Sequence, residues 1–211
     1  MFLALSHNMK VNLLILTILI STKALAGGEY ISYAGVVDIA TLRELKVNEW
    51  RSEINPFSTD GCSDFMDGPV TEKGYEWLHC CEQHDVSYWS GLGGESAHDQ
   101  ADLELKQCVV DAGYPTYANL IYSAVIAARP FNTYTNVSFR WGYGWPFELD
   151  HSPLVQAQID SVKKMSPSVV DGLLKYRTAK GYPPPTPEQL DATNQVLQKA
   201  LETPAAPEVF E

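Results

Sequence analysis

The chain lacks an excess of positive charge, internal repeats and, after its first 26 residues, any apolar run long enough to span a bilayer. Its 211 residues include 15 Lys and Arg against 26 Asp and Glu, a formal net charge of −11. Sequence-independent binding to nucleic acid needs a basic surface that releases counterions, so we expect no nucleic-acid partner. Strong electrostatic docking onto anionic lipid is disfavoured for the same reason. With 45% hydrophobic and 11% aromatic residues, the chain has the composition of a folded domain.

The first 26 residues contain no acidic residue and have the layout of an export signal. Lys10 precedes an apolar run over 11–20, and Ala24-Leu25-Ala26 supplies a small-x-small cleavage pattern. A buried N-terminal helix is the alternative interpretation. A membrane anchor is disfavoured because the run is shorter than the ~20 residues that a spanning helix needs. We therefore expect residues 1–26 to be a signal peptide and the protein to be exported, either secreted or periplasmic.

Only four cysteines occur in the chain: Cys62, Cys80, Cys81 and Cys108. Their even number fits two disulfides in an oxidising compartment. A bond between the two adjacent cysteines would strain the intervening peptide, which leaves two pairings that each join them to the other two. The alternative is a zinc site formed by these thiols with a nearby histidine, namely His79, His84 or His98. That site lacks a paired C-x-x-C spacing, and thiols seldom stay reduced after export.

Glycine and proline divide the middle of the chain into three predicted helices. The first covers 74–89 and stops at the glycine-rich segment 91–94. The second begins at Ser96, with Asp99 three residues later as a capping-box acid, and ends before Gly113. The third is an apolar stretch over 117–128.

After the third helix the pattern changes. Val137, Phe139 and Trp141 alternate with polar residues, which predicts a short strand, although Asn136-Val137-Ser138 is also a glycosylation sequon if the host is eukaryotic. From 153 onward the chain is predicted to be helical again, with a proline-rich spacer at 183–185 and a final helix over 188–201. The fold class is therefore mainly α, with a short β element and a helical extension over 151–211.

Helical stops and starts also divide the C-terminal extension. Ser166-Pro167 is predicted to start one helix and Gly181 to end it, and the segment from Thr203 is predicted to be a tail. The aromatic residues of the chain, such as Trp77 and Trp89, are expected to pack in the core rather than to contact lipid.

The segment 80–88 concentrates the residues that can perform chemistry. In a helix, Cys80, His84 and Tyr88 lie on one face because they are four residues apart, and Asp85 lies on a neighbouring face. The short glycine-rich loop that follows is typical of a helix that folds back antiparallel.

In such an antiparallel hairpin, facing positions have a nearly constant sum of residue numbers. A centre near residue 93 places Asp102 opposite His84 and Cys108 opposite Cys80. The two remaining cysteines are then left to pair with each other, which ties the preceding loop to the first helix. We therefore expect a disulfide-stapled helical hairpin.

This arrangement is suited to general-base catalysis. A neutral imidazole takes a proton from water when its other ring nitrogen donates to a carboxylate, and Asp102 is placed to be that acceptor for His84. The Tyr88 hydroxyl is expected to bond the second oxygen of Asp102. Asp85 is free to bind a hard cation together with backbone carbonyls of the loop 61–65. A cation beside a carbonyl polarises it, so these residues suggest hydrolysis of an ester.

The pattern Cys-Cys-x-x-His-Asp at 80–85, with a tyrosine four residues after the histidine, resembles the catalytic helix of secreted, calcium-dependent phospholipase A2, nearest to its compact microbial form. The resemblance covers about residues 60–110. It implies a phospholipase A2-like domain over 27–150. It also implies the same disulfides, Cys80 to Cys108 and Cys62 to Cys81.

The resemblance also implies a role for each site residue. His84 is the general base, Asp102 its partner and Tyr88 a support to Asp102. The implied calcium ligands are the Asp85 side chain and three loop carbonyls, those of Gly61, Ser63 and Phe65. The Ser63 amide is the implied oxyanion donor. The reaction implied is hydrolysis of the sn-2 ester of glycerophospholipids by an activated water, at a membrane or micelle surface that the protein contacts peripherally.

Several residues and one whole function class stay as alternatives. Asp64 and Asp67 could each supply a further calcium oxygen or be solvated loop acids. His79 is left without a role, and three other histidines are expected to be structural or exposed: His7, His98 and His151. The alternative function is a catalytically silent, secreted lipid- or protein-binding module on the same scaffold. No oligomeric state is indicated by the sequence.

Overall fold

The computed structural model describes residues 53–129, 140–146, 149, 151 and 154–206. These residues form six α-helices: α1 (Leu78–Ser90), α2 (Gly94–Asp111), α3 (Pro115–Ala128), α4 (Gln156–Met165), α5 (Ser168–Lys180) and α6 (Pro187–Leu201). No strand occurs in this part of the chain, so the mainly helical class is confirmed. Of the predicted strand, residues 137–139 lie outside the described residues, and Arg140 and Trp141 form a bend and a turn. The predicted signal peptide over 1–26 also lies outside the described residues.

Helix α1 ends where the sequence predicts and begins later. Gly91 terminates it in the left-handed conformation (φ +62°), and its N–H donates to the Ser87 carbonyl. The predicted start at 74 is wrong because Gly74 is itself left-handed (φ +82°), which holds the preceding segment in turns. The helix therefore begins only at Leu78.

Helix α2 begins at Gly94, two residues before the predicted start. Its N-cap is Gly93 (φ +88°), and no side chain caps it, so the predicted capping box at Ser96 is wrong. The Asp99 side chain instead pairs with Arg129 at the end of α3. A left-handed glycine turns the chain so tightly that α2 starts directly after the loop.

The other helix boundaries follow local signals closely. Pro115 stands in the first turn of α3, where a missing N–H costs nothing. Gly181 ends α5 in the left-handed conformation (φ +72°), as predicted. Thr186 caps α6 and forms a capping box with Gln189, immediately after the proline-rich spacer.

Two apolar clusters form the core, and α1 passes through both. We call the first the stapled cluster: Trp77, Cys80, Cys81, Leu105, Val109, Ala118 and Ile121. We call the second the aromatic cluster: Ile54, Phe57, Val86, Tyr88, Trp89, Leu92, Ala101, Trp141, Trp145, Leu149, Leu154, Ile159, Val162, Val169, Leu173 and Leu197. Trp77 and Trp89 are fully buried, which is the core role predicted for them. The candidate site lies on α1 between the two clusters.

The C-terminal helices share the second cluster with α1. Helix α6 packs against α1 and α4, and Leu173 of α5 and Leu197 of α6 belong to the same buried cluster as Trp89. The residues on either side of position 150 therefore contribute to one core. None of the described helices combines the length and the apolar character needed to cross a membrane.

Candidate active site

Two disulfides fix the elements that carry the site. Cys80 is bonded to Cys108 and joins α1 to α2, and Cys62 is bonded to Cys81 and joins the loop before α1 to that helix. This is the pairing that the hairpin register predicts. All four cysteines are used, so no thiol is left for the alternative zinc site. His79 lies against the Cys80–Cys108 sulfurs, but those atoms are bonded to each other.

The hairpin brings the predicted base and its partner into contact. His84 Nε2 lies 2.7 Å from Asp102 Oδ1, and the Asp102 side chain is fully buried. A carboxylate only accepts, so Nε2 carries the hydrogen and donates it. Nδ1 of the neutral ring is then the acceptor nitrogen, and the His84 side chain keeps about 10% of its surface exposed. Among the described residues Nδ1 has no hydrogen-bond partner, so the geometry leaves a basic nitrogen at the surface of the hairpin.

Asp102 accepts hydrogen bonds on both oxygens. Tyr88 donates to Oδ1 at 2.7 Å, the same oxygen that His84 uses, so the predicted bond to the second oxygen is wrong. Oδ2 is taken by Arg129, whose Nε donates at 2.8 Å and whose Nη2 also donates. Burial alone raises the pKa of Asp102. The hydrogen bond and charge of His84, with the bonds from Tyr88 and Arg129, outweigh that effect, and the net pKa lies below its ordinary value.

Arg129 is a site residue that the sequence analysis missed. It follows α3 directly, and its Nη1 donates to Asp99 while its other nitrogens donate to Asp102. A usable signal exists in the sequence. The hairpin rule, applied to the tight turn at 113–114, places position 128 opposite Asp99 and so brings the long side chain at 129 within reach.

The sequence analysis also missed a hydrogen-bonded chain of two histidines that begins at the Tyr88 hydroxyl. His98 Nε2 lies 2.7 Å from the Tyr88 oxygen, and His98 Nδ1 lies 2.9 Å from His151 Nε2. Because Tyr88 donates to Asp102, its oxygen accepts from His98 Nε2–H, and His98 Nδ1 accepts from His151. Burial lowers the pKa of His98 to about 4, with the charge of Arg129 contributing, so the ring is neutral at pH 7.

His98 is therefore a buried structural residue. The sequence analysis expected it to be either structural or exposed, and it is the former. Its ring stacks on Trp141, with ring centroids 4.7 Å apart, inside the region where the aromatic cluster meets the site. The network runs from His151 through His98 and Tyr88 to Asp102. It fixes the Tyr88 hydroxyl between His98 and Asp102.

The predicted metal ligand Asp85 lies on the neighbouring face of α1 and is 4% exposed. Thr59 Oγ1 donates to its Oδ2 at 2.5 Å. Burial raises the pKa of Asp85 well above its ordinary value; the Thr59 bond opposes the rise, and the charges of Asp60, Glu82 and Asp67 add to it. A buried carboxylate among further carboxylates is a chemical environment that favours a hard cation.

The loop 60–67 is linked to Asp85 through Thr59 and carries hydrogen bonds of its own. The Gly61 N–H donates to the Thr59 hydroxyl, which itself donates to Asp85. Ser63 is left-handed (φ +57°), a conformation that a side chain disfavours, and its hydroxyl donates to Asp60 at 2.9 Å. Phe65 packs against the stapled cluster, and its N–H donates to the carbonyl of Cys62.

The two further acids of the loop differ. Asp67 is buried, and both its oxygens are in use: Oδ1 accepts from the Cys62 N–H at 2.9 Å and Oδ2 from the Tyr176 hydroxyl at 2.8 Å. Asp64 is exposed. Asp67 is therefore a structural residue of the loop.

Comparison of the chain with protein-family models, with curated proteins and with solved structures found no match. The function must therefore be inferred from the chemistry of the site.

Proposed function

We propose that the protein is an exported, calcium-dependent hydrolase of the sn-2 ester of glycerophospholipids. The observation that carries this proposal is the contact of His84 Nε2 with buried Asp102, which leaves Nδ1 as the basic nitrogen, one residue before the buried carboxylate of Asp85. A base and a cation ligand on adjacent faces of one helix are what hydrolysis by an activated water requires.

In the proposed mechanism, His84 Nδ1 takes a proton from water as the water oxygen attacks the ester carbonyl carbon. The carboxylate of Asp102 stabilises the imidazolium that forms and holds its ring in place. The tetrahedral intermediate then collapses, and His84 returns the proton to the departing glycerol oxygen. The products are a free fatty acid and a lysophospholipid, and no acyl-enzyme forms.

The residues proposed to hold Ca²⁺ are Asp85, through its side chain, and Gly61, Ser63 and Phe65, through their carbonyls. The fit rests on Asp85, because a buried carboxylate whose pKa is raised by burial and by nearby acids gains from a cation. The bound ion would polarise the ester carbonyl. The Ser63 N–H is the proposed donor to the oxyanion.

The disulfides support export, and the proposed substrate requires peripheral contact with lipid. The two disulfides are typical of proteins in an oxidising compartment. The substrate is insoluble, so the protein must work at a membrane or micelle surface. We propose a secreted or periplasmic location, in agreement with the predicted signal peptide.

The test is lipolysis of mixed phosphatidylcholine micelles, with Ca²⁺ and then with a chelator. We expect His84→Gln to lose about a hundredfold to ten-thousandfold in kcat, because general-base catalysis contributes about 10²–10⁴-fold. The matched control is His79→Gln, which changes a histidine of the same helix that makes no contact with Asp102. Full activity of His84→Gln would end the proposal.

The second candidate is a secreted lipid- or protein-binding module without turnover. One observation favours it. Ser63, in the proposed calcium loop, is left-handed, and this conformation costs a residue with a side chain about 1–3 kcal/mol. Calcium titration distinguishes the two functions. No saturable Ca²⁺ binding and no lipolysis, in a folded protein, would support the module.

A further inference from the structure

Helix α5 reaches the loop 60–67 through the side chain of Tyr176. The Tyr176 hydroxyl donates to Asp67 Oδ2 at 2.8 Å, and Oδ1 of the same carboxylate accepts the Cys62 N–H at 2.9 Å. Asp67 is 8% exposed, and both bonds are partly buried. A single carboxylate therefore links the C-terminal extension to the backbone of the loop.

The same tyrosine also covers the start of the loop. Gly61 is left-handed (φ +77°), and a Cβ placed on it would collide with the Tyr176 hydroxyl and with the Asp67 carboxylate. The loop backbone at this point thus lies directly against the tyrosine. Glycine is required here for conformation and for space.

Tyr176 is held firmly because its neighbour anchors α5 to α1. Arg177 Nε donates to Glu82 Oε1 at 2.8 Å, Arg177 Nη2 donates to Oε2, and both side chains are buried. Glu82 lies one turn before Asp85 on α1. The tyrosine hydroxyl is therefore positioned relative to the helix that carries the proposed metal ligand.

A disulfide alone does not define the loop. The Cys62–Cys81 bond fixes one residue of the loop, and the chain on either side can still rotate about it. Ligand carbonyls need a defined backbone, because each must face the ion. The Asp67 side-chain bonds supply a further fixed point, beside the Trp77 bonds to the carbonyls of Met66 and Asp67.

We propose that Tyr176 is a positioning residue that sets the conformation of the loop 60–67 through Asp67, so that the C-terminal extension completes the proposed calcium site. This inference rests on the proposed function for its consequence, Ca²⁺ affinity. Its structural content, the conformation of the loop, is testable without the ion.

The experiment compares wild type with Tyr176→Phe, which removes the hydroxyl and keeps the ring. Amide hydrogen exchange of the peptide spanning 61–67 is measured with chelator present and disulfides intact, and Ca²⁺ affinity is measured by calorimetry. We expect exchange to be about tenfold faster and Ca²⁺ to bind about tenfold more weakly, because one hydrogen bond to a charged group is lost. Exchange in α2 should stay unchanged.

The matched control is Tyr114→Phe. It removes another tyrosine hydroxyl that donates to a carboxylate, that of Glu72 at 2.7 Å, outside the loop. We expect it to change neither loop exchange nor Ca²⁺ affinity. A double-mutant cycle with Asp67→Asn tests the route of action: adding Tyr176→Phe to Asp67→Asn should have little further effect.

The outcomes separate this inference from the proposed function. Unchanged loop exchange in Tyr176→Phe, or full additivity with Asp67→Asn, would overturn the inference whether or not Ca²⁺ binds. Wild type that binds no Ca²⁺ would overturn the proposed function and, with it, the part of the inference that concerns the calcium site. Faster exchange together with weaker Ca²⁺ binding supports both.

Discussion

The two apolar clusters differ in what holds them together. The stapled cluster is small, and among the described residues it relies on two disulfides that cross-link it to α2 and to the preceding loop. The aromatic cluster has more than twice as many buried residues, contains no cysteine, and is flanked by the buried Glu82–Arg177 pair. Small clusters bury too little apolar surface to define a structure alone, so covalent bonds take over that role.

The candidate site depends on both mechanisms because it lies where the clusters meet. Cys81 belongs to the stapled cluster and Val86 to the aromatic cluster, and the base and the proposed metal ligand lie between them on α1. The disulfide to α2 sets the register of His84 and Asp102. On the other side, Tyr176 of α5 bonds Asp67 of the loop.

The largest expected effect comes from a substitution next to the aromatic cluster. Glu82→Ala leaves Arg177 buried without its carboxylate, which should lower the free energy of unfolding by about 3–5 kcal/mol. Urea denaturation of the calcium-free protein measures it. The control is Glu104→Ala, which removes the partner of Lys199 at the surface and should cost less than about 1 kcal/mol. Equal losses of unfolding free energy in the two variants would show that the buried pair stabilises the fold no more than the exposed pair does.

The next largest effect comes from removing a disulfide of the stapled cluster. Replacing Cys80 and Cys108 together by Ser removes a cross-link over 28 residues and should lower the free energy of unfolding by about 3–4 kcal/mol. Hydrogen exchange should show the loss in α2 and α3, with protection in α4 and α6 largely retained. Uniform loss of protection over all helices would mean that the two regions unfold as one unit.

A smaller effect concerns the histidine network where the regions meet. The His98 pKa is lowered to about 4, so the unfolded chain binds a proton more readily between pH 6.5 and 4. Stability should therefore fall as the pH is lowered through this window, by about 2–3 kcal/mol for this group at pH 4.5. Urea titrations at pH 6.5 and 4.5 measure the difference, which His98→Gln should reduce. An unchanged difference in His98→Gln would assign the acid sensitivity to other groups.

The smallest effect is a gain in stability at the site itself. The pKa of Asp85 is raised by burial, so its ionised form weakens the calcium-free fold, and stability should fall as the pH rises through the folded-state pKa. With chelator present, Asp85→Asn should raise the Tm at pH 7 by roughly 2–4 °C, the effect of about 1 kcal/mol in a chain of this size. Added Ca²⁺ should raise the Tm of wild type and not that of Asp85→Asn. A lower Tm in Asp85→Asn without Ca²⁺ would contradict the assignment.

Much of the hairpin could be predicted from the sequence because it depends on local periodicity. Spacing of four residues and a short glycine loop suffice to pair His84 with Asp102 and Cys80 with Cys108. The predicted capping by Asp99 was wrong for a non-local reason. The Asp99 side chain pairs with Arg129, which directly follows α3. Left-handed Gly93 already turns the chain into α2.

By itself, the sequence determined the local features of this protein: the stops at Gly91 and Gly181, the helical faces of α1 and the order of the disulfides. The stops depend on single glycines, and the helical faces depend on residues a few positions apart. The order of the disulfides follows from the register of the hairpin, which the short glycine loop sets. Only the tertiary structure decided that Arg129 takes the second oxygen of Asp102 and that Tyr176 bonds Asp67. Each contact joins residues of separate elements. The hairpin rule brings Arg129 near Asp99, but the choice of partner depends on how the elements pack.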